Sequence, residues 1–165
     1  MFPTETVYGI GANAFDPQAV SRVFETKRRP RFNPLIVHIP DTASLKKVAS
    51  HIPPEAKQLA ERFWPGPLTL VLPKHPDLPL VVTGGLPTVG VRMPAHPIAQ
   101  ALLKAADLPI AAPSANRFMR LSSTRMEHAK NQLGAEVDLY LDGGPCPIGV
   151  ESTIVGWVDG RATLL

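Results

Sequence analysis

At 165 residues, 44% of them hydrophobic and 19% charged, the chain has the length of one domain and too much apolar content to be disordered. A net charge of +3 fits an anionic ligand such as a nucleotide, or weak RNA contact, and fits an ordinary soluble surface equally well. The single cysteine, Cys146, excludes an intramolecular disulfide, and no run approaches about 18 apolar residues, so no membrane span is expected and a cytoplasmic location is.

Residues 1–13, MFPTETVYGIGAN, read as a strand end running into a binding loop, and no signal-peptide pattern is visible there. Asp16-Pro17 opens a helix with an N-cap and a proline at the first helical position. Ala19, Val20, Val23 and Phe24 recur at helical spacing, and the helix ends in Lys27-Arg28-Arg29 before Pro30. Residues 35–39 (LIVHI) predict a short buried strand. Pro54 starts a second helix with Ala56, Leu59, Ala60 and Phe63 on one face. WPGP (residues 64–67) stops it, and 68–72 is a strand. Residues 88–93 (TVGVRM) alternate as a strand. Pro97 starts a helix through Ala106, and 109–112 is a strand that enters Pro113-Ser114-Ala115-Asn116. Thr124 and Glu127 form a capping box for a helix ending near Gly134. Residues 137–141 are a strand closed by Asp142-Gly143-Gly144, and Asp159-Gly160 joins strands 153–158 and 161–165 in a hairpin. The sum is an α/β domain with a twisted mixed sheet and flanking helices, because the hairpin excludes a purely parallel sheet.

Ligands of open α/β sheets sit at strand ends and in the loops beyond them. In TVGVRM, Val89, Val91 and Met93 face a core, while Thr88, Gly90 and Arg92 face the other way. Gly90 then leaves space beside an arginine able to pair with a carboxylate or phosphate; an edge strand with a solvated arginine is the alternative. The cations at 27–29 favour the helix dipole, but Arg31 and Asn33 continue between two stiffening prolines, and such a loop suits a polyphosphate. His38 lies in an apolar strand, where a hydrogen-bonded core histidine and a ligand contact are both open. Ser114 and Asn116 follow a strand, with turn chemistry as the alternative. No G-x-S-x-G elbow surrounds Ser114, no histidine spacing suits zinc, and neither a P-loop nor a G-x-G-x-x-G is present. Cys146 has no evident activating partner.

PTETVYGIGANAFD, KRRPRFNPLIVHI, FWPGPLTLVLP, GLPTVGVRMP, PIAAPSAN and LDGGPCPIGVESTIV follow one another over nearly the whole chain. Together they resemble the threonylcarbamoyl-AMP synthase family, the YrdC-like domain. The resemblance implies a YrdC/DHBP-synthase-like (α+β) sheet with a concave, positively charged face. It implies a reaction in which L-threonine, bicarbonate or CO2, and ATP yield threonylcarbamoyl-AMP and pyrophosphate. A downstream tRNA threonylcarbamoyl transferase machinery would then modify the adenosine next to the anticodon. Carried onto this sequence, Thr6 (with Thr4 nearby), His38, Arg92, Ala112 through its backbone, and Ser152 fall on the L-threonine side. Lys27, Arg29, Asn33, Thr88, Ser114 and Ser122 fall on the ATP side. No protein nucleophile and no protein metal site are expected, and Mg2+ would travel with ATP.

The sequence departs from the family in three places. After Ala115-Asn116 the family continues Arg-Ser-Gly-Arg-Pro-Ser-Pro-Thr, whereas here Phe118-Met119 replaces Ser-Gly and both prolines are absent, which shifts the expected position of Ser122. An Arg-Pro-Gly that follows in the family, with an arginine on ATP, is absent after Leu165, and so are a strand and a helix before Phe2. From these departures a domain incomplete at both ends and an unpaired sheet position beside Thr6 are expected. The alternative function is a nucleotide- or RNA-binding relative without synthase activity. A carbamoyl-transfer domain of hydrogenase maturation proteins is disfavoured, because no zinc-finger or acylphosphatase-like segment is present.

Overall fold

The computed structural model describes residues 1–165, the side chain of Ala135 excepted. In chain order the elements are β1 (Ala12–Asn13), α1 (Pro17–Lys27), β2 (Ile36–His38), a 3-10 turn (Thr42–Ser44), α2 (Leu45–Val48), α3 (Pro54–Phe63), β3 (Leu68–Pro73), α4 (Leu80–Thr83) and β4 (Thr88–Arg92). There follow α5 (Pro97–Ala106), β5 (Ile110–Ala111), α6 (Met126–Leu133), a second 3-10 turn (Gly134–Glu136), β6 (Thr153–Val158) and β7 (Arg161–Leu164). The strands form one mixed sheet in the order β1-β5-β2-β4-β3-β6-β7. The pairs β2/β4 and β3/β6 are parallel, and the others are antiparallel.

Local chemistry starts α1 where expected. The Asp16 carboxylate accepts from the N–H groups of Gln18 (2.9 Å) and Ala19 (3.0 Å), and Pro17 needs no partner there. Val20, Val23 and Phe24 turn into the core with Val37, Leu70, Val89 and Val91. Burying each such side chain contributes about 1.5–3 kcal/mol. Gly84 ends α4 with φ +60, a conformation that a residue with a side chain adopts at a cost.

β4 lies inside the sheet between β2 and β3, so Arg92 is not on an edge. Its alternation is as expected: Val89 and Val91 are buried on the core face. The space at Gly90 is narrower than expected. A Cβ there would lie 3.3 Å from Thr69 Cγ2 and 3.5 Å from Ile36 Cγ1.

Four expectations fail for tertiary reasons. Residues 137–141 are not a strand; the segment runs beside the N-terminus, where Leu141 N–H donates to Met1 O at 2.9 Å and the Met1 amine donates to Leu139 O. The sheet position beside Thr6 is paired rather than frayed. Phe2 and Gly9 exchange two hydrogen bonds of 2.9 Å, and Phe2 is buried against Ile110 and Leu103. Thr124 does not cap α6. Arg125 stands at that position without a side-chain bond, and the Thr124 carbonyl instead holds Cys146 N–H at 2.8 Å. Phe63, expected on the buried face of α3, is 48% exposed, because the chain turns away at Trp64, while Ala56 and Ala60 are buried and Leu59 packs partly against the core.

Candidate functional site

Three loops meet over the end of β4. Residues 4–9 form the first. Thr4 builds its turn: its hydroxyl donates to Val7 O at 2.7 Å and accepts from Thr6 N and Val7 N at 3.2 Å each. The second loop, 113–116, runs alongside, with Ile10 N–H donating to Pro113 O at 3.0 Å and Ala115 N–H to Tyr8 O at 2.6 Å. The third, 145–150, straps the first from above. Ile148 N–H donates to Glu5 O at 2.9 Å and Gly149 N–H to Thr6 O at 3.0 Å.

Between them lies a cavity of about 190 Å3. Its wall brings together Thr4, Thr6, Arg29, His38, Arg92, Ala112, Ser114 and Ser152, which are distant in sequence. A cavity of about 300 Å3 lies elsewhere, against β1 and α1, and another of about 620 Å3 lies against the β6–β7 hairpin. Both are larger, but the charged residues in their walls (Arg22, Glu136 and Asp138 in the first, Glu55 in the second) are exposed, and neither holds a buried charged side chain like Arg92 to orient a ligand.

Arg92 is the buried cation of the smaller cavity. Its side chain is 4% exposed, and that of its partner Glu5 is 8% exposed, with Nη2 to Oε1 at 2.5 Å. Nη1 donates to Thr6 Oγ1 at 2.8 Å and Nε to Gly66 O at 3.2 Å. The Gly66 carbonyl is placed by the WPGP turn, whose Trp64–Pro65 bond is cis and whose Trp64 indole donates to Leu68 O at 2.7 Å. His38 stands beside Arg92. Burial, with the guanidinium charge adding to it, holds its imidazole down at about 3, so it is neutral. Its Nδ1 is buried with no hydrogen-bond partner, while the residue lines the cavity.

Arg29 guards the other side. It donates to Pro34 O at 3.1 Å and to Asn33 O at 3.4 Å, and its guanidinium lies 5.9 Å from the Phe118 ring centre. Ser152 Oγ pairs with Thr69 Oγ1 at 2.7 Å. Ser122 donates to Glu151, and Glu151 is the one carboxylate among the residues lining this cavity.

Four residues expected on the nucleotide are placed outside this wall. Lys27 is 1% exposed and turned inward, with its ammonium on the carbonyls of Ser114 (2.6 Å) and Asn116. Burial, with Arg29 nearby, holds its amine down at about 7. Asn33 meets Arg29 through its carbonyl, and Ser122 acts through Glu151. Thr88 lies at the far end of β4, lining the 620 Å3 cavity.

Two acids at the site have no sequence signal beyond their neighbours: Glu5 is the middle of Thr4-Glu5-Thr6, and Glu151 directly precedes Ser152. Among the described residues no cluster of three His, Cys, Asp or Glu could hold a metal ion, and no helix is long and apolar enough to cross a membrane.

A family model named Sua5_yciO_yrdC, described as "Telomere recombination", matches residues 1–165. The chain is 53% identical over 164 residues to the threonylcarbamoyl-AMP synthase of Pyrococcus abyssi (99% of this chain, 48% of that one). It is 52% identical over 165 residues to that of Bacillus subtilis (99% and 48%). The structure of P. abyssi Sua5 complexed with L-threonine superposes with a TM-score of 0.97 at 53% identity, covering 99% of this chain and 48% of that one. The chain thus spans about half the length of these two relatives. With the matching fold, these likenesses show that the chain belongs to the Sua5/YciO/YrdC family.

Proposed function

We propose that this domain is a threonylcarbamoyl-AMP synthase that takes L-threonine, bicarbonate or CO2, and ATP. The observation that carries this reading is the convergence of Thr6, His38, Arg92 and Ser152 with Arg29 and Ser114 around one cavity. The likeness to a protein complexed with L-threonine supports the amino-acid half.

In this reading the threonine carboxylate meets Arg92 and Thr6. His38, neutral and lining the cavity, contacts the amino acid through its imidazole. The amino group gives one proton to solvent, its nitrogen bonds to the carbon of CO2 as a C=O π pair moves onto oxygen, and a second proton goes to solvent, leaving an N–H carbamate anion. A carbamate oxygen then bonds to the α-phosphorus of ATP, and pyrophosphate leaves with the electron pair of the broken P–O bond. No side chain forms a covalent bond. The protein aligns the carbamate with the phosphorus and offsets the negative charge that moves to the leaving group.

Arg29 and the Ser114 loop face the nucleotide, with Asn33 and Ser122 beside them, while Thr88, at the far end of β4, is assigned to ATP by the resemblance alone. Lys27 acts from behind by fixing the carbonyls of 114 and 116. Mg2+ would arrive with the phosphates and offset their charge, and Glu151, the one carboxylate in the wall, would be the side chain able to hold it or its waters. The product is a reactive anhydride, so a transferase acting on a tRNA adenosine is its consumer. Arg28, Arg31, Arg117 and Arg120, in the loops beside Arg29, offer weak RNA contact.

The test is product formation from 13C-bicarbonate. The heavy carbon should appear in an adduct of threonine and AMP by mass spectrometry, and no labelled adduct from folded protein would reject the reading.

A further inference from the structure

Glu5 is not part of the cavity wall, yet it is fixed at every polar atom of its side chain. Oε1 accepts from Arg92 Nη2 at 2.5 Å, and Oε2 accepts from Ala95 N–H at 3.0 Å. Its backbone carbonyl is strapped by Ile148 N–H at 2.9 Å. The carboxylate therefore has no free rotation with which to follow a ligand.

The consequence falls on Arg92. A guanidinium has five N–H groups. Gly66 O, Thr6 Oγ1 and Glu5 Oε1 take three of them, on Nε, Nη1 and Nη2. One N–H on each terminal nitrogen remains, and a planar carboxylate needs two such groups side by side. Without Glu5 the Nη2 end of that fork has no fixed partner.

Charge is the second consequence. A buried guanidinium alone attracts any small anion. With Glu5 in contact the pair is neutral as a whole. A ligand that carries a carboxylate and an ammonium, with zero net charge, is little affected by the acid behind the arginine. A dianion meets it as a repulsive charge in a medium of low dielectric.

We propose that Glu5 is the positioning residue of the cavity: it sets Arg92 so that two N–H groups face a carboxylate, and by cancelling the guanidinium charge it selects an amino-acid zwitterion over a small dianion. This rests on reading the cavity as an amino-acid site.

The first arm of the test uses wild-type protein without ligand. At low temperature the Nη protons of Arg92 should give separate, slowly exchanging NMR signals. One averaged signal overturns the positioning role, whether or not threonine binds. The second arm titrates wild type and Glu5→Gln with L-threonine and with malonate by calorimetry. The preference for threonine over malonate should fall by about tenfold or more in Glu5→Gln. An unchanged ratio overturns the selection. If Glu5→Gln does not fold, Glu5→Asp replaces it, keeping the charge with a shorter reach. Averaged Arg92 signals with the threonine preference kept support the proposal, and loss of preference with the charge still present overturns it. If wild type binds no threonine, the amino-acid reading fails, and the Arg92 signals still decide the positioning role.

Discussion

Lys27 lies beneath Ser114, with its ammonium nitrogen 2.6 Å from the Ser114 carbonyl oxygen and a second bond to the Asn116 carbonyl. The lysine joins the end of α1 to the 113–116 loop of the cavity wall, and Phe118 N–H closes the link by donating to Lys27 O at 2.9 Å. Lys27→Met keeps the buried stem and removes the donor. It should cost about 1–3 kcal/mol of stability, the price of carbonyls left without a partner. Urea unfolding checks this, and an unchanged midpoint would show that the ammonium holds nothing.

Arg92→Ala should weaken L-threonine binding far more than ATP binding. Charge-assisted hydrogen bonds of this kind contribute about 1.5–3 kcal/mol, so the threonine dissociation constant should rise roughly ten- to hundredfold. Calorimetric titration with each ligand separates the two, and equal losses would contradict the assignment of Arg92 to the amino acid.

Met119 adopts φ +62 in the loop after Asn116, and its side chain is 87% exposed. That left-handed conformation costs a side-chain-bearing residue about 1–2 kcal/mol, and the exposed thioether repays little of it. Met119→Gly should therefore raise stability by up to about 1 kcal/mol, read as a higher thermal midpoint. A lower midpoint would mean that the side chain is held by contacts of its own.

Acid should act through His38. The imidazole is held down at about 3 in the fold, against an ordinary value of 6.5. Between those values the unfolded chain binds a proton that the folded chain does not. The stability contribution is therefore full above about 6.5 and declines as pH falls toward about 3. His38→Gln lacks this proton. Relative to that variant, wild type should lose up to about 1.4 kcal/mol per pH unit in the window. Parallel stability curves for the two proteins would contradict a neutral, buried His38.

What was legible in the sequence was local. Asp16-Pro17 places the start of α1 because a cap needs only its next three residues. TVGVRM orients Arg92 because strand side chains alternate. The motif likeness pointed to half of the cavity wall. What was not legible depends on residues far apart. Glu5 matters only because residue 92 arrives beside it, and Lys27 turns inward only because the 113–116 loop passes over it. The segment 137–141 has the composition of a strand but meets Met1, and a strand needs more neighbours than that. Phe63 fits a helical stripe whose outer end the core does not reach.

The most direct measurement is pyrophosphate release from ATP by this 165-residue chain, with L-threonine and bicarbonate supplied together and singly. Release that requires both, and that Arg92→Ala abolishes at threonine concentrations saturating for wild type, is the predicted result. Release without threonine, or none from a folded sample that binds ATP, would contradict the synthase reading and leave a nucleotide-binding domain without that activity.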